Sequence, residues 1–311
     1  MGDNYALLFP GQGAQFAGMG ASFVEASPKA RARLEQAADA LGFNIGKLIL
    51  EGPEAELALT SNTQPALLLV SVMALDALAE RMEVAPATVA GHSLGEFSAC
   101  YAAGVFGFED ALRITRKRGE LMQTACPPGV GGMAAILGLM ADQVEAVCRE
   151  AGGEVWPANF NSPEQTVIAG KKADVERAGE LAAKKGAKKV VPLAVSAPFH
   201  TPLMKPAQEG LAEFMKSIAF NGPKHPVIRN VDAGLSRTAD EVRDGLIRQV
   251  TGCVRWVDAM RQLPGLGVER VFEVGPGKTL CGLMKRIEKG VAASPVGTAE
   301  EAARTVEAAR G

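Results

Sequence analysis

The chain has 311 residues, more than the roughly 100–200 of a usual single-core domain, so one large domain with a smaller one is the natural expectation. Hydrophobic residues make up 47% and charged residues 22%, with a formal net charge of -2, which argues against nucleic acid or an anionic membrane surface as a partner. The five cysteines, Cys100, Cys126, Cys148, Cys253 and Cys281, show no CxxC pair or zinc spacing, and Asp3 and Asn4 replace the basic lead of an export signal, so a cytoplasmic protein with reduced thiols and no metal is expected.

Tyr5-Ala6-Leu7-Leu8-Phe9 is an apolar run stopped by Pro10-Gly11-Gln12-Gly13, which reads as a buried first strand opening into a tight loop. Ligands of open α/β sheets bind beyond the carboxyl ends of strands, so this loop is a candidate site edge. Phe16 stands where the third glycine of a dinucleotide loop would be, which sets that alternative aside. Ser27-Pro28 supplies an N-cap and first-turn proline for a helix that Gly42 ends. A core helix, apolar on nearly all sides, is predicted over 65–82, with Gln64 just ahead of it as a cap. Its longest apolar run, 66–75, is short of the ~18 residues that a membrane span needs.

Val89-Ala90-Gly91-His92-Ser93-Leu94-Gly95-Glu96 lies between a strand-like run and a helix-like one, and has the G-x-S-x-G form of a nucleophile elbow. Ser93 is therefore the candidate nucleophile; the competing reading is a chance pentad whose serine merely caps a helix. An amphipathic helix predicted over 108–126 carries Arg113, Arg116, Lys117 and Arg118, a charge run that by itself reads as a solvated face.

From 133 to 195 the pattern becomes strand, helix, strand, strand, helix, strand, the ferredoxin-like order. Hinge-like Pro127-Pro128-Gly129 precedes it, which suggests a small ferredoxin-like subdomain over 129–196 set into a large domain made of 1–128 and 197–311. Lys184, Lys185, Lys188 and Lys189 near its end read as a solubilising surface. The chain returns through Ser196-Ala197-Pro198-Phe199-His200-Thr201-Pro202, with His200 on a loop before a helix. Strands are predicted over 227–231 and 268–274, and Thr238 with Glu241 forms a capping box for a helix reaching Val250.

A serine hydroxyl needs a base within hydrogen-bond reach, and the chain has three histidines. His92 adjoins Ser93, so its side chain should leave in another direction and support the loop. His225 sits at a strand entrance away from any other chemical signal. By elimination the base is His200. More than a hundred residues follow it, unlike the late histidine of α/β-hydrolases, and either a carboxylate or a backbone carbonyl could orient its ring. For the oxyanion, an elbow offers the N–H of the following residue, Leu94, and Gln12 in the first loop fits the second donor.

FPGQG at 9–13, GHSLGE at 91–96, Arg118 in RKRGELM, SAPFHTPLM at 196–204, Gln249 in the segment ending VRW, and FEVGPGK at 272–278 together resemble the malonyl-CoA:acyl carrier protein transacylases of fatty acid synthesis. The resemblance implies an α/β-hydrolase-like large domain around a parallel sheet, with a ferredoxin-like insert. It implies that Ser93 carries the malonyl group as an ester, with His200 as base and then acid, and the Gln249 backbone carbonyl on its other nitrogen. Gln12 and Leu94 would supply the oxyanion hole, and Arg118 would grip the malonyl carboxylate. Phe199 resembles the forms that select malonyl over bulkier methylmalonyl, and His92 would border the substrate. The implied partners are malonyl-CoA and a phosphopantetheinylated acyl carrier protein; no cofactor, nucleic acid or membrane is expected, and the protein is expected to be a monomer. A discrete acyltransferase of polyketide synthesis or malonate decarboxylation, or a serine thioesterase or esterase, remains as the alternative.

Overall fold

The structure is a computed structural model that describes residues 4–127, 129–195 and 197–310. Asp3, Pro128 and Ser196, on which the expectations about the N-terminus and the domain boundaries partly rest, lie outside the described residues. A six-stranded sheet comprises β1 (Tyr5–Phe9), β2 (Thr88–Gly91), β7 (Val227–Ile228), β8 (Leu235–Ser236), β9 (Arg270–Val274) and β10 (Ala292–Val296). Its order is β10-β9-β1-β2-β7-β8, parallel except for the β7–β8 hairpin. Helices cover both faces of a parallel sheet, so β1 is apolar without alternation. The register sets Phe9 opposite Gly91, which brings the loops that leave β1 and β2 side by side.

The helix Thr60–Ala79 begins earlier than predicted, and Pro65 lies inside it. A proline there removes the donor to the Ser61 carbonyl, and the Arg116 guanidinium takes that place at 3.1 Å. Gln64 is consequently no cap. It is a fully buried helical residue. Among the described residues this is the one helix long and apolar enough to cross a membrane, yet most of it is buried inside the protein. It packs against the helix Phe108–Thr124, which carries Arg118 on its inner face.

The strand expectations need correction. β7 stops at Ile228 rather than running to 231, because Asn230 is drawn out of the sheet toward the serine elbow. β10 was not foreseen, since Pro295 and small residues give it a weak pattern, which an edge strand tolerates.

The second sheet, of β3 (Gly131–Leu137), β4 (Val155–Ser162), β5 (Gln165–Lys171) and β6 (Lys189–Pro192), is antiparallel in the order β4-β5-β3-β6, the ferredoxin-like arrangement. Helices Ala141–Ala151 and Lys172–Lys184 pack on it around Ile136, Val144, Val147, Ile168 and Val175. Backbone bonds from Phe160 to Val254 and from Val254 to Ala158 stitch β4 to the segment after Gln249. That stitch places the end of β4 beside the elbow.

Candidate active site

Ser93 sits between β2 and the helix Gly95–Ala102 with φ of 52°, in the left-handed region that costs a non-glycine residue about 1–2 kcal/mol. The flanking glycines have a different function from the left-handed turn. A Cβ on Gly91 would stand 1.9 Å from the Gly95 backbone, and one on Gly95 would stand 2.0 Å from the Phe9 carbonyl oxygen. Both are therefore needed for close approach, which packs the helix start onto the strand ends. Asn230 clamps the turn, accepting from the Ser93 N–H at 2.6 Å and donating to the Gly91 carbonyl at 2.7 Å.

His200 comes from the loop after the second sheet and places Nε2 2.7 Å from Ser93 Oγ. Its Nδ1 lies 2.9 Å from the Gln249 carbonyl oxygen. Gln249 is the last residue of the helix Ala239–Gln249, where carbonyls lack intrahelical donors and the helix dipole is negative. Among the described residues the Nδ1 side of the ring therefore meets not a carboxylate but a backbone carbonyl. With Nδ1–H donated to it, Nε2 is left as the acceptor for the serine hydroxyl. Burial, and then the nearby Arg118 charge, push the imidazole down to about 3, so it is neutral at neutral pH.

Arg118 is not on a solvated face: its exposure is 1%. Nη1 donates to Gln64 Oε1 at 2.8 Å, and Nη2 to Gln249 Oε1 at 2.8 Å and to Ser93 Oγ at 3.3 Å. The guanidinium lies 5.2 Å over the Phe97 ring. Its buried Nε–H has no acceptor among the described residues. Burial lowers this group to about 10, so it remains a cation at neutral pH.

The remaining predicted residues divide. Leu94 precedes the helix Gly95–Ala102, so its N–H is one of the first-turn amides that a helix leaves without an internal acceptor. The Gln12 side chain donates to Thr60 Oγ1 at 3.2 Å, holding its loop against the helix Thr60–Ala79. His92 does point away from Ser93: Nε2 lies 2.8 Å from Asn161 Oδ1, and the ring meets Trp256 edge-on at 5.4 Å. Phe199 is buried within the large apolar core. A cavity of ≈ 360 Å³ opens between the Gln12 loop, His92, Asn161 and Arg286, and another of ≈ 650 Å³ reaches His200 past Trp156 and Cys253. Among the described residues no cluster of three or more histidine, cysteine or acidic side chains could hold a metal ion.

The acyl transferase domain family matches residues 6–300. The malonyl CoA-acyl carrier protein transacylase of Escherichia coli (strain K12) is 45% identical over 305 residues, covering 97% of this chain and 99% of that protein. The chain belongs to the malonyl-CoA:acyl carrier protein transacylases. Among solved members of the family, the transacylase from Coxiella burnetii is 39% identical with a TM-score of 0.96, over 99% of this chain and 98% of that one. A malonyl-transacylase solved in complex with a type II polyketide synthase acyl-carrier protein is 43% identical, also with a TM-score of 0.96, over 98% of this chain and 100% of that one.

Several residues that build this transacylase site were missed by sequence reasoning. Gln64, Phe97, Asn230 and the Gln249 side chain face Ser93 or Arg118, and Glu96 stands behind them, bonded to Gln249 and Asn230. Gln249 Nε2 donates to Glu96 Oε2 at 2.7 Å and to the Ser93 carbonyl at 2.9 Å. Burial lifts the Glu96 carboxyl to about 7 against the lowering effect of these bonds. The available signals were polar residues in apolar surroundings, such as Gln64 beside a long apolar run, but a polar residue at a predicted helix start reads as a cap.

Proposed function

We propose that the protein transfers a malonyl group from malonyl-CoA to the phosphopantetheine thiol of an acyl carrier protein, in fatty acid biosynthesis, through an ester on Ser93. The observation that carries this reading is the buried Arg118 guanidinium, 3.3 Å from Ser93 Oγ, with its Nε–H unmatched by any acceptor among the described residues. A group that simply hydrolyses neutral esters has no use for a buried cation beside its nucleophile. A malonyl chain presents a carboxylate, which the planar fork of Arg118 can take in two hydrogen bonds where a lysine could not.

In this scheme Ser93 Oγ attacks the thioester carbonyl while its proton passes to His200 Nε2 over the 2.7 Å bond. The Gln249 carbonyl steadies the imidazolium that forms, and the N–H groups of Leu94 and Gln12 hold the oxyanion. The C–S bond then breaks, and the CoA sulfur leaves with the proton from His200. The carrier thiol gives its proton to His200 and attacks the ester, and Ser93 recovers its hydrogen as it departs. Burial first, and then the Arg118 charge, depress the basicity of His200, so a malonyl carboxylate that offsets the Arg118 charge relieves the second of these effects. Binding of the acidic chain and activation of the nucleophile are thus coupled. No cofactor enters the scheme.

Phe199 and His92 complete the reading as neighbours of the acyl and pantetheine groups, and the division into 1–128 with 197–311 and 129–196 sets the site between two units. The five free cysteines, four of them buried, favour a cytoplasmic protein, and a monomer is sufficient because every proposed group comes from one chain. A carrier of polyketide synthesis is the second reading, favoured by the solved relative that pairs with such a carrier. Mixing the protein with malonyl-CoA and then with either carrier, followed by mass spectrometry, tests both. A malonyl adduct on Ser93 that moves to the carrier supports transfer; an adduct lost only to water indicates an esterase, and none at all refutes the covalent route.

A further inference from the structure

Arg118 is held on two sides by amide oxygens, from Gln64 and Gln249, and an amide can face either way. Were the Gln249 amide reversed, its NH2 would meet the guanidinium donor to donor, and the cation would lose one of its two amide anchors. What decides the orientation is on the far side of that amide. Gln249 Nε2 has two N–H groups, and both are committed, to the Ser93 carbonyl at 2.9 Å and to Glu96 Oε2 at 2.7 Å. The same Glu96 oxygen accepts the Asn230 backbone N–H at 3.0 Å, and the Asn230 side chain clamps the Ser93 turn. One buried carboxyl oxygen therefore ties the turn that presents the nucleophile to the amide that aims the cation.

We infer that Glu96 is a positioning residue for acyl selectivity: by fixing the Gln249 amide, it aims Arg118 at the carboxylate of an acidic acyl chain. The inference rests on the reading of Arg118 as the carboxylate clamp. Glu96 itself touches neither substrate nor the reacting atoms. Its contribution lies in an acceptor oxygen more than in a charge, because burial lifts the carboxyl to about 7 and a protonated acid can still accept at Oε2. The charged and titratable groups acting on or beside it are Arg118, Arg229 and Cys100. Glutamine at this position keeps such an oxygen; alanine does not.

The test compares malonyl-CoA with acetyl-CoA as donors in steady-state transfer, for wild type, Glu96→Ala, Glu96→Gln, Glu96→Met and Arg118→Ala. For a hydrogen bond to a charged network, Glu96→Ala should lower malonyl kcat/KM by roughly 10- to 100-fold, mainly through KM, and acetyl kcat/KM by a smaller factor, so that the preference for malonyl over acetyl falls. Glu96→Gln, which keeps an acceptor oxygen, should hold malonyl selectivity to within about threefold of wild type, whereas Glu96→Met, which fills the same space without that oxygen, should lose it as alanine does. If Glu96→Ala is not recovered folded, Glu96→Asp replaces it, since the shorter chain withdraws the oxygen from Gln249 and should produce the same loss of selectivity. Unchanged selectivity in the folded alanine or aspartate variant overturns the inference, as does a glutamine variant as impaired as alanine. Arg118→Ala separates the two levels: if it keeps malonyl preference the clamp reading itself fails, whereas if it loses that preference while Glu96→Ala does not, only the role of Glu96 falls.

Discussion

Replacing Arg118 by alanine removes the one buried cation beside the nucleophile, and the consequences can be worked from its contacts. Three hydrogen bonds disappear, to Gln64, Gln249 and Ser93, along with the stacking on Phe97. For malonyl-CoA the substrate carboxylate would enter a buried site without a counter-charge, and truncating one member of such a pair costs about 2–5 kcal/mol. That corresponds to a fall of roughly 30-fold to several thousand-fold in malonyl kcat/KM. Acetyl-CoA carries no carboxylate, so its kcat/KM should not fall with that of malonyl-CoA: the Ser93–His200 bond and the Gln249 carbonyl stay in place, and loss of the Arg118 charge lets His200 become more basic. The Gln64 and Gln249 oxygens lose donors, at about 1–3 kcal/mol each, offset in part by no longer burying a charge. Urea unfolding followed by circular dichroism checks that the variant is folded before the kinetics are read. An equal fall for both donors, or malonyl turnover that survives intact, would refute the reasoning.

Three further predictions concern the fold and its protonation. His200 is neutral in the folded state down to about pH 3, whereas in the unfolded chain it takes a proton near pH 6.5, so the unfolded state binds more protons between these values and stability falls as the pH drops through that window. Urea titrations from pH 7 to pH 4 should show His200→Gln losing stability less steeply than wild type, by up to about 1.4 kcal/mol per pH unit, and parallel curves would contradict the buried neutral ring. Gly91→Ala places a Cβ 1.9 Å from the Gly95 backbone, and should yield little soluble folded protein, as judged by size-exclusion chromatography. Asn230→Ala leaves the Ser93 N–H and the Gly91 carbonyl without their partner; a loss of about 2–4 kcal/mol in chemical denaturation, with weaker labelling of Ser93 by malonyl-CoA, is the expected outcome.

Much of this protein was legible in its sequence because local chemistry dictates local form. The run Tyr5 to Phe9 reads as a strand because every residue in it is apolar, and Ser27, Pro28 and Gly42 bound a helix by the bonds and dihedral angles their side chains allow. The Thr238 capping box forms as read, with its hydroxyl accepting the Glu241 N–H. The strand and helix order of the second sheet identifies its topology, since each element keeps a distinct periodicity. That Ser93 and His200 would meet was accessible too, the first proposed from its flanking glycines and the second because the chain has few histidines.

What only the tertiary structure decided is how distant polar groups meet. Arg118 follows three other cations on an amphipathic helix, and its neighbours in sequence cannot reveal that its own face turns inward onto Gln64 and Gln249. Gln64 resembles a cap until Arg116 is seen to satisfy the carbonyl that Pro65 frees, which lets the helix start earlier and carry Gln64 into the core. β7 is cut short because Asn230 and the elbow, far apart along the chain, satisfy each other. Propensity and spacing act over a few residues, whereas a buried polar group is stable only when a partner arrives from elsewhere in the fold, and that arrival is settled by packing.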